Sequence, residues 1–438
     1  MFNKLLLILI LSPWILSCQN SLNGKLSPST DYNFVILYKL TPTGKAYALD
    51  TILDNGEFKL NLDSNLEEGS YRLVYNLPEE ENFFDLILSN KENVNFTFSE
   101  EKGVVFSGGQ NKILTEYLEN MNEIQQEINT KITSGSSSTK EIESLLARQT
   151  EVQTKAEKDS KNTYASTFIR SLKPFIPDNY INKEVYEIST KSNYFNNFDF
   201  KNTQLQSSSF PLEKIKNYYH EFVTMKGGVN YQSAINDIHL AIKDASPEFQ
   251  KHLLESFWQD LLNNNRNNAA NYLGLRYLIT LANTLEDKEL SEKLQLVKSL
   301  SIGEKAPNFT LTDFDDSKSL YDLEGSEFFI LAFWSTECSH CLKHIPELHE
   351  KMKTVTSDKI KVVAIGLEIE EETWREKTKE LPDFIHVLAK GDTLTELTRI
   401  YDIKATPTFY VLNVEKRIAA KPRGLQNLYI GIEASAEQ

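Results

Sequence analysis

A short apolar run followed by two cysteines constrains the fold of this 438-residue chain more than any other feature. The run FFILAFW, at 328–334, has the length and the composition of a buried strand. The sequence LKHIPELHEKM follows at 342–352 with helical spacing, so Cys338 and Cys341 lie where a strand gives way to a helix. Segments of these two kinds alternate over 301–438, which predicts an α/β fold with a partly parallel sheet.

The part of the chain before this region shows two other hydrophobic periods. From 32 to 109, short β-rich runs separated by turn residues predict an all-β sandwich. The turn Asp54–Gly56 lies between two of these runs and favours a hairpin. From 110 to 300 the period is that of α-helices, and Ser138 with Glu141 can form a capping box at the start of the second helix. The chain is therefore predicted to be multidomain, with a sandwich, a helical middle region and a C-terminal α/β fold.

The N-terminus has the features of an export signal. Lys4 precedes an apolar run that is too short to cross a bilayer of ~30 Å as a stable helix, and Ser17 stands directly before Cys18. The letters ILSC resemble the lipobox of bacterial lipoproteins, which implies a signal peptide over 1–17 and a lipid anchor on Cys18. An ordinary signal peptide with an incidental cysteine stays open as an alternative. Residues 18–31 are polar and are interpreted as a tether to the membrane of the cell envelope, inner or outer.

Composition and charge exclude some classes of function. With 40% hydrophobic and 25% charged residues, the chain has the make-up of an ordinary globular protein. Its formal net charge is −15, and it has no basic tract. Because nucleic acid and anionic lipid headgroups are held by clustered Lys and Arg, no nucleic-acid partner is expected.

The spacing of the two C-terminal cysteines favours redox chemistry over a structural role. Once Cys18 is assigned to a lipid, Cys338 and Cys341 are the cysteines that remain. A disulfide between them closes so short a loop that it stabilises the fold very little. At a helix N-terminus, free backbone N–H groups and the helix dipole stabilise a thiolate. Cys338 is therefore predicted to be the attacking nucleophile, and Cys341 the resolving cysteine.

The residues around this pair resemble the thioredoxin superfamily. FWSTECSHC follows an apolar strand, Pro346 lies five residues after Cys341, and ATPTFYVL follows a βα unit. The opening IGEKAPNFTLTD, with SLYDLEGSEFFILAFW, is similar to the TlpA and ResA branch of membrane-tethered thiol-disulfide oxidoreductases and to the related AhpC/TSA-like region. The resemblance covers 301–438. It implies a thioredoxin-like domain that exchanges disulfides with protein thiols as a reductase or isomerase, with no cofactor and with an unidentified electron donor in the envelope.

The resemblance also implies roles for single residues. Pro407 matches the cis-proline loop that faces the cysteine pair, where the backbone of Thr406 would pair with an extended substrate. Trp334 matches the tryptophan beneath the active-site loop. Glu368 matches the acidic residue that the ResA branch places near the resolving cysteine, so it is expected to accept the proton of Cys341.

Two positions depart from the family pattern, and a third is expected to change the redox potential of the cysteine pair. Ala332 stands where thioredoxin has a buried aspartate, which strengthens the case for Glu368 as the proton acceptor. Glu337 replaces the tryptophan that often precedes the first cysteine, and its carboxylate opposes a thiolate. His340 occupies a position where disulfide isomerase and DsbA also carry histidine. It is expected to stabilise the Cys338 thiolate and to raise the potential from about −270 mV towards about −180 mV, although an exposed histidine with little influence stays open.

Three other functions also stay open. Cys338, Cys341, His344 and His349 form a Cys/His cluster that could bind zinc or copper, although a structural zinc site normally takes its second ligand pair from another segment. The opening IGEKAPNFTL also resembles peroxiredoxins, but the proline that accompanies their peroxidatic cysteine is missing before STECSHC. The third alternative is a non-enzymatic binding lipoprotein with a vestigial redox pair.

Overall fold

The chain divides into two compact units between Ala270 and Asn271. The computed structural model describes residues 20–62, 66–135, 138–224, 230–311, 318–354, 359–368 and 370–429. The predicted signal peptide over 1–17 and the lipidation site Cys18 lie outside these ranges. Within them, no helix combines the length and the apolar character needed to cross a bilayer.

The first unit begins with two four-stranded sheets. Their strands are β1 (Ser21–Ser27), β2 (Phe34–Thr41), β3 (Gly44–Ile52), β4 (Glu57–Asn61), β5 (Gly69–Val74), β6 (Phe83–Leu88), β7 (Val94–Ser99) and β8 (Gly103–Phe106). The sheet orders are β4-β1-β7-β8 and β3-β2-β5-β6, and β1 and β7 are parallel. Side chains of both sheets, such as Phe96 and Leu73, share one hydrophobic core. The β-rich character predicted for this region is confirmed.

The first strand corrects the prediction of a tether over 18–31. Ser21–Ser27 is strand β1, in which Leu22, Gly24 and Leu26 are buried and the residues between them are more exposed. Gly24 is needed here because a Cβ would clash with the rings of Phe58 and Phe96. One of the inward positions of this strand is a glycine, and the residues between the inward positions are mostly polar. The segment therefore shows little hydrophobic alternation, and its sequence favoured the prediction of a polar linker.

The turn at Asp54–Gly56 forms as predicted, but it does not join a hairpin. Asp54 and Glu57 exchange two backbone hydrogen bonds of 2.9 Å, and Asn55 and Gly56 have φ values of 51° and 76°. Strand β3 pairs with β2, whereas β4 pairs with β1 in the other sheet. The hairpin prediction is therefore wrong, because turn chemistry fixes a local reversal and the packing of buried side chains such as Phe58 decides which strands pair.

The helical middle region is confirmed. Its helices are α1 (Gly109–Ser134), α2 (Thr139–Asp159), α3 (Ala165–Ser171), α4 (Lys183–Asn193), α5 (Thr203–Gln206), α6 (Phe210–Thr224), α7 (Tyr231–Ile242), α8 (Pro247–Asn263) and α9 (Asn267–Leu273). The apolar stripe of α1, including Ile128, packs against Leu145 of α2. The predicted capping box is present: Ser138 Oγ accepts the N–H of Glu141 at 3.4 Å, and the Glu141 carboxylate accepts the N–H of Ser138 at 2.8 Å.

The second unit contains the predicted α/β fold. It begins with a π-helical turn (Gly274–Leu278), α10 (Ile279–Thr284) and α11 (Lys288–Ser299), which the sequence grouped with the middle region. Its strands are β9 (Phe328–Trp334), β10 (Ile360–Leu367), β11 (Ile385–Ala389), β12 (Thr408–Asn413) and β13 (Ile418–Ala420). Three helices, α12 (Ser339–Met352), α13 (Glu371–Thr378) and α14 (Asp392–Ile400), connect them.

The sheet of this unit is partly parallel, as predicted. Its order is β11-β10-β9-β12-β13, in which β9, β10 and β11 are parallel and β12 and β13 are antiparallel to their neighbours. Successive residues of β9 belong to two different core clusters, with Leu331 in one and Ile330 in the other, so both faces of the sheet are covered. Strand β9 is therefore central, and the segment that follows it leaves the sheet from its middle.

Candidate active site

Cys338 lies at the N-cap of α12, four residues after the end of the central strand β9. Its backbone is extended, with φ −93° and ψ 110°, and its N–H donates to the carbonyl of Ser335 at 3.2 Å. The Sγ atom accepts the N–H of Cys341 at 3.2 Å. The sulfur thus satisfies one of the free N–H groups at the start of the helix, a task that Ser, Thr or Asp usually performs.

A second segment from far along the chain completes the site. The Thr406–Pro407 peptide bond is cis, the conformation expected from the resemblance. The thiol of Cys338 donates to the carbonyl oxygen of Thr406 at 3.2 Å, although the two residues are 68 positions apart in sequence. Both cysteines are free thiols, Cys338 half-buried and Cys341 fully buried. The structure therefore brings together Cys338, Cys341, Thr406 and Pro407 as the sequence predicted.

The pKa values of the two thiols are shifted in opposite directions. Burial alone would raise the pKa of Cys338, but hydrogen bonds from the side chains of Cys341 and Thr406 and from the backbone N–H groups of Cys341 and His340 lower it below its ordinary value. Burial, together with the adjacent Cys338, raises the pKa of Cys341 to about 12. This difference in pKa suits an accessible nucleophile at Cys338 and a protected resolving thiol at Cys341.

Glu368 is bound to the loop in front of Cys338. Its carboxylate accepts the N–H of Thr336 at 2.5 Å, the hydroxyl of Thr336 at 3.0 Å and the hydroxyl of Ser335 at 3.3 Å. The side chain is 2% exposed, and this burial raises its pKa even though the three hydrogen bonds act to lower it. A carboxyl group with a raised pKa is better suited to accept a proton than an ordinary one. The role of Glu368 as proton acceptor for Cys341 stays a prediction.

The other predicted site residues surround the pair at different depths. Trp334 is 2% exposed and belongs to the same core cluster as Cys341. Ala332, within strand β9, is fully buried. Glu337 and His340 are both exposed and flank Cys338, so neither is held by the core. Their opposing influence on the redox potential stays a prediction.

The Cys/His cluster does not converge on a common point. His344 Nδ1 lies 3.0 Å from a carboxylate oxygen of Glu347, whereas His349 is buried and contacts Asp383 at 3.2 Å through Nε2. Over the described ranges, no three or more His, Cys, Asp or Glu side chains are arranged to hold one metal ion. Metal binding by Cys338, Cys341, His344 and His349 together is therefore not supported by this arrangement.

Two features of the site were missed by sequence reasoning. The first is the pair Ser335 and Thr336, which donate hydrogen bonds to Glu368. Hydroxyl residues before a cysteine do not indicate in the sequence which distant carboxylate they will contact. Gly366 pairs with Trp334 across the sheet, and a Cβ there would clash with the indole of Trp374. A glycine inside an apolar strand often indicates that another group approaches the strand closely, and here that group is the indole of Trp374.

The fold and the paired cysteines define a thioredoxin-like domain, and comparison with known proteins agrees. Residues 302–421 match the AhpC/TSA family. The thiol-disulfide oxidoreductase ResA of Bacillus cereus is 28% identical over 131 residues, which cover 30% of this chain and 73% of that protein. ResA of Bacillus subtilis is 30% identical over 122 residues, covering 28% of this chain and 66% of that protein.

Solved structures are also similar to parts of the chain. A domain of a possible thiol-disulfide isomerase from Cytophaga hutchinsonii is 33% identical and has a TM-score of 0.28, with 32% of this chain and 97% of that chain covered. A thioredoxin-like protein from Bacteroides caccae is 20% identical and has a TM-score of 0.32, with 60% of this chain and 97% of that chain covered. The family match over 302–421 and the ResA relatives confirm the predicted resemblance of the C-terminal region to thiol-disulfide oxidoreductases.

Proposed function

We propose that this protein is a thiol-disulfide oxidoreductase that acts on protein disulfides through Cys338 and Cys341. The observation that carries the proposal is the asymmetry of the pair: a half-buried Cys338 with a lowered pKa beside a fully buried Cys341 with a raised one. The names of the relatives that match the same region agree with this chemistry.

The reaction consists of two exchanges. The Cys338 thiolate attacks one sulfur of a substrate disulfide, which forms a mixed disulfide and releases the other sulfur as a thiolate. Cys341 then loses its proton and attacks Cys338 Sγ, so that the Cys338–Cys341 disulfide forms and the second substrate sulfur leaves. Two electrons pass from the pair to the substrate. The reverse sequence oxidises a substrate dithiol, so the redox state of the partner sets the direction.

The high pKa of Cys341 makes the second exchange depend on a base. Glu368 is our candidate, because it is buried and has a raised pKa. Its hydrogen bonds to Ser335 and Thr336 connect it to the loop that leads into Cys338. The backbone of Thr406, beside the cis Pro407, would hold an extended substrate segment near Cys338.

We further propose that the protein works in the cell envelope as a lipoprotein. The ILSC sequence before and at Cys18 supports lipidation of that residue, and the preceding apolar run supports export. An envelope electron donor would then keep the pair reduced for reductase or isomerase work. Mass spectrometry of the membrane fraction tests this part: a diacylglyceryl group on Cys18 is expected, and an unmodified Cys18 in the mature protein would contradict it.

Trapping of the mixed disulfide tests the proposed activity. The Cys341→Ser variant should accumulate a covalent, reductant-sensitive complex with a disulfide-bonded substrate such as insulin, because Cys338 can attack but the complex cannot resolve. The matched Cys338→Ser variant should form no such complex, since the remaining thiol is buried and protonated. Insulin reduction that survives in the Cys338→Ser variant would contradict the proposed role of Cys338. A wild-type protein that does not reduce insulin would instead favour the non-enzymatic alternative with a vestigial pair.

A further inference from the structure

Two histidines follow the cysteine pair along α12. His340 and His344 are four residues apart, which places them on the same side of the helix. Their rings lie nearly parallel, with an angle of 9° between planes and 6.3 Å between centroids. His340 is exposed, and the side chain of His344 is 31% exposed. Two imidazoles at this helical spacing can bind one metal ion, as they do in zinc-binding helices with His at i and i+4.

Glu347 contacts His344 and favours one tautomer of its ring. Nδ1 of His344 lies 3.0 Å from Oε2 of Glu347, three residues further along the helix. A carboxylate accepts only, so this contact keeps the proton on Nδ1 and leaves the lone pair on Nε2. Histidines that bind metals commonly donate their other ring N–H to a carboxylate in this way. The contact with Glu347 therefore favours the tautomer of His344 whose Nε2 can bind a metal ion.

We propose that His340 and His344 form a binding site for a divalent transition-metal ion of the kind that imidazole prefers, such as Ni²⁺, Cu²⁺ or Zn²⁺. The site differs from the Cys/His cluster considered above, because it uses His340 and needs neither His349 nor a thiol. Water would complete the coordination, since the described residues bring no third His, Cys, Asp or Glu ligand to this pair. The inference does not depend on the proposed oxidoreductase activity.

The two rings lie close enough on one side of α12 to reach a common ion once they turn. An imidazole nitrogen binds such metals at about 2.1 Å, so the two rings must turn their nitrogens towards a common point. Both side chains lie on the outer surface of α12, whereas the core side of the helix is formed by residues such as Ile345 and Leu348. The His340 ring can therefore turn towards His344 without disturbing the buried face of the helix.

Calorimetric titration with Ni²⁺ tests the site. The untagged full chain with Cys338→Ser and Cys341→Ser serves as the parent, because it removes the thiols and any reaction of the metal with them. We expect one Ni²⁺ per chain, and we expect His340→Gln and His344→Gln each to weaken binding at least tenfold, since either change leaves a single imidazole. Glu347→Gln should weaken binding about tenfold, because the carboxylate no longer orients the ring of His344.

His220→Gln is the matched control, because His220 is an exposed histidine on α6 in the other unit. It should leave the dissociation constant for Ni²⁺ within twofold of the parent. The proposal is overturned if His340→Gln or His344→Gln binds Ni²⁺ as tightly as the parent, or if His220→Gln weakens binding as much as they do. A second measurement is a titration with Zn²⁺ monitored through the NMR signals of the imidazole rings. We expect chemical-shift changes only for the rings of His340 and His344. Changes at other histidines with none at these two would contradict the site.

Discussion

Glu368 Oε1 accepts the backbone N–H of Thr336 at 2.5 Å, which ties the end of β10 to the loop in front of Cys338. Both hydroxyls of that loop donate to the other oxygen of the same carboxylate. The loop in turn fixes the nucleophile, because the carbonyl of Ser335 accepts the N–H of Cys338. A buried carboxylate from a neighbouring strand therefore helps to hold the nucleophile in position.

The ionisation of Glu368 should make stability depend on pH. Because burial raises its pKa in the folded state, the folded protein binds this proton more tightly than the unfolded chain does. Protonation of Glu368 stabilises the fold fully at pH values below the pKa that this group has in the unfolded chain. The stabilisation is lost as the pH rises through the higher pKa that the group has in the folded protein. Glu368→Gln keeps an acceptor for the Thr336 N–H and removes this titration.

Urea unfolding of Glu368→Gln and the wild type from pH 4 to pH 8 measures the effect. The free energy of unfolding of the variant, relative to wild type, should rise with pH across this range. Glu372→Gln, on the exposed part of α13, is the control and should show no such trend. A constant difference between Glu368→Gln and the wild type at all pH values would contradict the interpretation.

The Thr336 hydroxyl should contribute to the same arrangement. Thr336→Val removes its 3.0 Å hydrogen bond to a buried carboxylate with little change of shape, which should cost about 1.5–3 kcal/mol of unfolding free energy. Thr336→Ser retains the hydroxyl and should recover most of that loss. Because the loop positions Cys338, the valine variant should also lower kcat for insulin reduction more than the serine variant does. Equal stability and rates for the two variants would argue against this role.

The thiols should react with alkylating agents at very different pH values. Hydrogen bonds lower the pKa of Cys338, so iodoacetamide should modify it with an apparent pKa below that of an ordinary cysteine thiol. Cys341, with a pKa raised to about 12 and no exposed surface, should stay unmodified up to pH 9. Mass spectrometry of peptides from a pH series of the reduced protein resolves the two sites. Similar rates at both cysteines would disprove the asymmetry.

The contact between Gly366 and Trp374 should not tolerate an added methyl group. Gly366→Ala places a Cβ against the indole of Trp374 in the fully packed core, which should cost about 1–3 kcal/mol of unfolding free energy or more. Gly424→Ala, in the same unit, adds its Cβ in open space and should change stability by less than about 0.5 kcal/mol. Denaturant unfolding measures both, and equal effects of the two changes would contradict the packing argument.

Much of the second unit could be predicted from sequence because its signals are local. Hydrophobic runs and helical spacing located β9 and α12, and Cys338 and Cys341 lie on the turn between them. Pro407 required the family resemblance, since nothing in its own neighbourhood identifies the cysteines that it faces. The capping box at Ser138 was equally predictable, because its partner Glu141 is three residues away.

What could not be predicted depends on contacts between distant segments. Strand β1 is held by β4 and by β7, so its mostly polar sequence becomes a strand only when both neighbours are in place. The turn at Asp54 is correct locally, but the strands on either side join different sheets. The hydrogen-bond partners of Glu368, Thr336 and Ser335, are likewise 32 and 33 residues away in sequence. An acidic residue in the sequence does not by itself indicate which distant residues it will contact.

The redox potential of the Cys338/Cys341 couple tests the central claim most directly. The full chain is equilibrated in glutathione buffers of graded potential, quenched with acid, alkylated and analysed by mass spectrometry. We expect one two-electron transition that joins Cys338 to Cys341, at a potential above about −270 mV and towards about −180 mV. A pair that stays as two thiols in every buffer, or in which Cys338 forms only a glutathione adduct, would contradict the proposed function.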